Sequence, residues 1–170
     1  MAEPMLRAQG EQKNIPLVVD LDGTLIHSDL LWEAILIFIK VRFLQLWRLP
    51  FWLFSGKAGF KEKMAGMVEI DPQALPYDQI LLADLARQRS EGRQIILATG
   101  SQRRFADAIA VHLGLFDRVL ATEGGINLTS HNKAHQLSEL FGAKGFDYIG
   151  NASVDVAVWN ASNAAFSVTR

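Results

Sequence analysis

Two aspartates one residue apart, Asp20 and Asp22, stand where the apolar run Leu17-Val18-Val19 gives way to Gly23-Thr24. Such a run suits a buried parallel strand, whose interior rejects carboxylates and glycine. Both acids are therefore expected at its C-terminal end, where open α/β sheets place their ligands. There they can divide labour, Asp20 as nucleophile and Asp22 as general acid and then base. A phosphoryl group is the natural electrophile for this pair, and its negative charge needs partners. After a second apolar run, Ile95 to Ala98, the Thr99 hydroxyl is expected to hold phosphoryl oxygens, together with Gly100 and the backbone N–H groups at the next helix start. Lys133, near another helix start, would neutralise charge. Asp20, the Asp22 backbone, Asn151 and Asp155 supply hard oxygen donors of the kind that suits Mg²⁺.

The elements that must carry these residues follow from the same sequence. Strands are expected at 16–19, 94–98, 118–121, 146–149 and 164–168, and between them helices at about 77–91, 102–113, 132–141 and 154–161. Gly92 and Gly114 close two of these helices. Regular alternation with short connections predicts an α/β fold, a three-layer, Rossmann-like sandwich with a parallel sheet at its centre. The core comprises 15–28 and 76–170, and 1–14 is a polar, loose leader.

Residues 29–75 do not fit the alternation and read as a helical cap inserted after the first strand. The segment 30–54 is rich in apolar residues, Trp32, Trp47 and Trp52 among them, and over 30–47 these point in nearly every direction on a helical wheel, as expected of a helix covered on most sides by protein or by something else apolar. Glu33, Lys40, Arg42 and Arg48 interrupt the run, and each would cost roughly 2.5–3.5 kcal/mol at mid-bilayer, which disfavours a spanning helix. Protein core, contact with a membrane or a membrane partner, and an apolar substrate pocket are the three readings of the stripe. Pro50 is expected to break the helix, 55–59 to connect, and 61–68 to form a further short helix.

The chain has 170 residues, 49% hydrophobic and 21% charged, with a formal net charge of −1. That balance gives no broad attraction to nucleic acid, so any positive charge at the site must be local. The absence of cysteine excludes disulfides and thiolate chemistry. A cytoplasmic location is the default, with the inner membrane face as an alternative given the apolar insertion. The four histidines show no metal-ligand spacing, although His27 lies close enough to the aspartate turn to touch a substrate.

From Pro16 to Val168 the chain resembles the haloacid dehalogenase phosphatases. Asp20-Leu21-Asp22-Gly23-Thr24 matches their DxDGT signature, Ile95 to Ser101 their second motif, Lys133 their third, and Gly150-Asn151-Ala152-Ser153-Val154-Asp155 their fourth. The resemblance implies an aspartyl-phosphate on Asp20, proton transfer by Asp22, phosphoryl binding by Thr99 and Lys133, and Mg²⁺ held at the fourth motif. The insertion is similar to the helical cap of the phosphoserine phosphatase-like subclass. More narrowly, the run from Val19 to Ile26, Asp29-Leu30-Leu31-Trp32-Glu33 and Phe146 to Asn151 resemble the soluble domain that precedes UbiA-type polyprenyl prenyltransferases. That likeness implies a piece of a larger membrane protein, with a prenyl-linked or sugar phosphate as substrate. Asn151 departs from the family, which mostly has Asp there. An amide can still ligate Mg²⁺ but brings no charge. The rival expectation is thus a weakly active or inactive docking domain. Transfer to an acceptor other than water also fits these residues, whereas dehalogenation needs neither Asp22 nor a metal.

Overall fold

The computed structural model describes residues 15–124, 127–151 and 153–168; the expected leader, 1–14, and Ala152 of the fourth motif lie outside them. Five strands, β1 (Leu17–Val19), β2 (Ile95–Gln102), β3 (Arg118–Thr122), β4 (Asp147–Gly150) and β5 (Ala165–Ser167), pair in parallel in the order β3-β2-β1-β4-β5. The helices are α1 (Leu30–Val41), α2 (Arg48–Leu53), α3 (Gly56–Met67), α4 (Gln79–Ser90), α5 (Arg103–Leu113), α6 (Ser130–Phe141) and α7 (Val156–Ala161). Strand alternation makes the three layers. Leu17, Val19, Ile95 and Leu97 face Leu85 of α4 and Phe105 and Ile109 of α5, while Val18, Ile96 and Ala98 face Leu137 of α6 and Val158 of α7.

The sheet order places the topological switch between β1 and β4, because the chain builds outward through β2 and β3 and then crosses to the other side of β1. Ligands of open α/β sheets bind at that crevice. Strand β2 runs four residues beyond the apolar run that announced it, through Thr99, Gly100 and Ser101. Its pairing with β3 shifts register between Ala98 and Gln102. Gly100 is required in this stretch, since a Cβ there would lie 2.4 Å from Thr129 Cγ2.

Within the insertion the breaks fall elsewhere than expected. Pro50 does not end a helix; it sits in the first turn of α2, where its missing N–H has no intrahelical partner to lose. The interruption comes at Arg42, whose backbone (φ −121°, ψ 34°) leaves the helical region. Helix α3 begins at Gly56, so the expected connector over 55–59 is largely helical. The insertion leaves and returns through adjacent backbone: Ile26 bridges Tyr77, His27 N–H donates to Pro76 O at 2.8 Å, and Asp78 N–H donates to Leu25 O at 2.9 Å. Its inner face, Leu30, Ala34, Phe38, Trp52, Phe60 and Met64, joins the same apolar cluster as Leu21, Leu25 and Ile26 beneath the aspartate turn. On α4, Ile80 and Ala86 are exposed, and the buried stripe is carried by Leu85 with Leu81 and Leu82 beside it.

Candidate active site

Asp20 follows β1 directly and is buried. Lys133 Nζ, also buried, lies 2.7 Å from Asp20 Oδ1 and donates a second bond, at 2.9 Å, to the Tyr148 hydroxyl. That hydroxyl donates to Asp155 Oδ1 at 2.8 Å, and Asn151 N–H donates to Asp155 Oδ2 at 3.1 Å. A continuous polar chain therefore ties the end of β1 to α6 and to both ends of the fourth-motif loop. Each buried charge in it has a partner, as burial demands.

Asp22 has a different set of contacts. Leu30 N–H, at the start of α1, donates to its Oδ1 at 2.8 Å, and Ser101 Oγ at 2.7 Å and Thr99 Oγ1 at 3.2 Å reach its Oδ2. Thr99 is fully buried and also accepts Ser101 N–H at 3.0 Å. Its hydroxyl thus contacts Asp22, and at this strand end it is Gly100 that lines the cavity. Gly23 (φ +76°) closes the turn. A Cβ there would lie 2.3 Å from Asn151 Nδ2, which donates to Gly23 O at 2.8 Å. Asn151 accordingly has a structural task that a carboxylate could not perform, since Asp would set an anionic oxygen against a carbonyl oxygen.

These groups open onto a cavity of about 530 Å³, lined by Asp20, Asp22, Gly23, His27, Ser28, Asp29, Lys61, Gly100, Thr129, Ser130, Lys133, Asn151, Val154 and Asp155. Four carboxylates face two ammonium groups. Burial first, and the neighbouring carboxylates after it, shift the acidities. Burial raises Asp20 to about 6 against the pull of Lys133, with the Asp155 and Asp22 charges pushing the same way as burial. Burial also raises Asp22, opposed by its hydrogen bonds from Leu30 and Ser101. Tyr148 is pushed well above its ordinary range by burial and by Asp20 and Asp155, so it stays a neutral donor.

A divalent cation would relieve this charge excess. Among the described residues no three His, Cys, Asp or Glu side chains are grouped to hold one. Mg²⁺, however, binds through one or two carboxylates and keeps several waters. Asp20, the Asn151 amide oxygen and the Asp22 main-chain carbonyl are donors of that class, and Asp155 adds charge from behind with both oxygens already hydrogen-bonded. The residues present fit the ion.

No protein-family model matches the chain. It is 40% identical over 157 residues to the uncharacterized protein y4nM of Sinorhizobium fredii, covering 92% of this chain and 30% of that protein. The chain thus spans about a third of the length of the curated relative it matches. Among solved structures, a HAD family hydrolase from Salmonella enterica serovar Typhi superposes with a TM-score of 0.60 at 16% identity, over 94% of this chain and 68% of that one. A phospho-aspartyl intermediate analogue of phosphoserine phosphatase superposes with a TM-score of 0.60 at 12% identity, over 91% and 86%. The fold is that of the haloacid dehalogenase phosphatases.

Set in this haloacid dehalogenase fold, Asp20, Asp22, Gly100, Lys133, Asn151 and Asp155 all line one cavity, Thr99 stands just behind it, and the exposed His27 joins the rim. Three contributors were not anticipated. Ser101 was findable, because two residues beyond Thr99 on an extended strand returns to the same face. Tyr148 reads as an ordinary buried strand aromatic. Lys61, from α3 of the insertion, donates to Gly100 O at 2.6 Å and acts electrostatically on Asp22, and nothing in its helical surroundings marks it.

Proposed function

We propose that this chain is a Mg²⁺-dependent phosphomonoester hydrolase working through an aspartyl-phosphate on Asp20. The observation that carries the reading is the pairing of Asp20, gripped by Lys133, with Asp22, held by separate donors, at the sheet's switch point. The ionised Asp20 carboxylate forms a bond to phosphorus as the bond to the leaving oxygen breaks. Asp22, whose burial favours the protonated form, gives its proton to that oxygen. As a carboxylate it then takes a proton from water, whose oxygen displaces Asp20 from phosphorus and releases inorganic phosphate. Lys133 balances charge on the nucleophile and on the phosphoryl oxygens, and Lys61 adds positive charge from the insertion. Mg²⁺, held by Asp20, Asn151 and the Asp22 carbonyl, would supply the remaining neutralisation of the phosphoryl group.

A prenyl-linked or sugar phosphate is the substrate class we assign, on the resemblance to the domain that precedes UbiA-type prenyltransferases. The intact acids and Lys133 favour catalysis over an inert docking domain. The test is release of phosphate from a generic aryl phosphate by purified protein with Mg²⁺ and with a chelator. Turnover with Mg²⁺ that falls about 10³-fold or more in Asp20→Asn is expected for loss of a nucleophile. No wild-type turnover, or an unchanged rate in Asp20→Asn, overturns the mechanism.

A further inference from the structure

Helices α1 and α2 are apolar on both sides. Their inner faces meet through Phe38 and Trp52, ring centroids 5.4 Å apart, within the core cluster. Their outer faces carry two stripes at helical spacing, Trp32, Leu36 and Ile39 on one and Trp47, Phe51 and Phe54 on the other, all in solvent. Soluble surfaces rarely leave so many large apolar side chains bare along two successive helices. The charges of 30–54 are one acid, Glu33, and three bases, Lys40, Arg42 and Arg48. Among the described residues none of the three bases is in an ion pair; Arg48 lies over the Trp47 ring at 5.5 Å and donates to Gln45.

We propose that this face docks in the plane of an anionic phospholipid bilayer, with its aromatic rings at the boundary of headgroups and acyl chains and Lys40, Arg42 and Arg48 on lipid phosphates. Aromatic and aliphatic stripes bordered by unpaired bases are the composition of interfacial helices. No helix among the described residues is long and apolar enough to cross a membrane. The 12 residues of α1 extend about 18 Å, well short of the hydrocarbon thickness of about 30 Å. A second copy using the same face would set these bases against one another, and the charged centres of protein interfaces are ordinarily depleted of unpaired cations. Charge therefore selects the lipid surface. The inference is independent of the hydrolase reading.

Vesicle flotation of the purified chain tests it, with phosphatidylcholine alone and with phosphatidylcholine and phosphatidylglycerol at roughly 70:30. The expected result is capture by the anionic vesicles at least about 10-fold stronger than by the neutral ones, weakening as salt rises. The variant K40Q/R42Q/R48Q should lose that preference. L44E/F54E alters two highly exposed side chains of the same segment, so it should keep its circular dichroism and its urea denaturation midpoint while losing capture about 10-fold or more. Absence of capture by anionic vesicles overturns the proposal, as does capture unchanged in L44E/F54E. A concentration-dependent dimer that L44E/F54E dissolves, without vesicle binding, also overturns it and assigns the face to a second copy.

Discussion

At the end of β1 three charged side chains, Asp20, Lys133 and Asp155, are each at most 7% exposed, whereas on the insertion Leu44 and Phe54 are 86% and 88% exposed. The two regions depart from ordinary burial in opposite directions, and each departure costs stability. In the first the cost is contained by partners: every buried charge meets another charge or a hydrogen-bond donor. In the second nothing within the described chain covers the apolar surface. A chemical site can be completed by its own fold, while a docking face is completed only by what it meets.

The contrast can be broken most severely at Lys133. Lys133→Met leaves the Asp20 and Asp155 carboxylates buried without their cation; we expect a loss of about 3–5 kcal/mol in urea denaturation and a fall in aryl phosphatase rate on the order of 10²–10³. Next is Phe38→Ala, on the inner side of α1, which should cost about 3–5 kcal/mol through the cavity beside Trp52.

A smaller effect comes from pH. The folded pKa of Asp20, about 6, lies above its value in an unfolded chain, about 3.9, so between these values the folded state binds more protons. In chelator the contribution of Asp20 to stability is therefore full below about pH 4 and declines as pH rises through about 6, by roughly 3 kcal/mol in total. Asp20→Asn should lack that decline, and denaturation of both proteins at about pH 4.5 and pH 8 measures the difference. Smallest of all is Phe54→Ser on the outer face, expected within about 0.5 kcal/mol of wild type; a loss comparable to Phe38→Ala would show that the outer stripe is packed after all.

Strands β1, β2 and β4 were legible because each contains a short apolar run, a pattern that reports burial directly, whereas β5 is exposed along its whole length and follows only from the alternation of strand and helix. Asp20, Asp22, Lys133, Asn151 and Asp155 were legible because they fall at strand ends and helix starts, positions that local sequence reveals. Lys61 was not, since its value depends on α3 folding back over β2, and no local rule encodes that approach. Tyr148 was hidden by its own suitability for a strand interior. At Pro50 the general rule against proline within a helix lost to the exception for the first turn. The apolar wheel of 30–47 read as one helix covered on most sides, whereas the helix ends at Val41 and its outer stripe stands in solvent; only the packing of Phe38 and Trp52 separates the inner stripe from the outer one.

The bonds that span the switch point also set a timetable. Lys133 lies 113 residues after Asp20, and Asn151 lies 128 after Gly23. At synthesis rates of about 5–20 residues per second, Asp20 waits roughly 6–23 s for Lys133 to emerge, and Gly23 a little longer for Asn151. Until then β1 also lacks β4, one of its two neighbours. A nascent chain thus carries Asp20 without its counter-charge, and the site becomes complete only when nearly the whole sheet has been made.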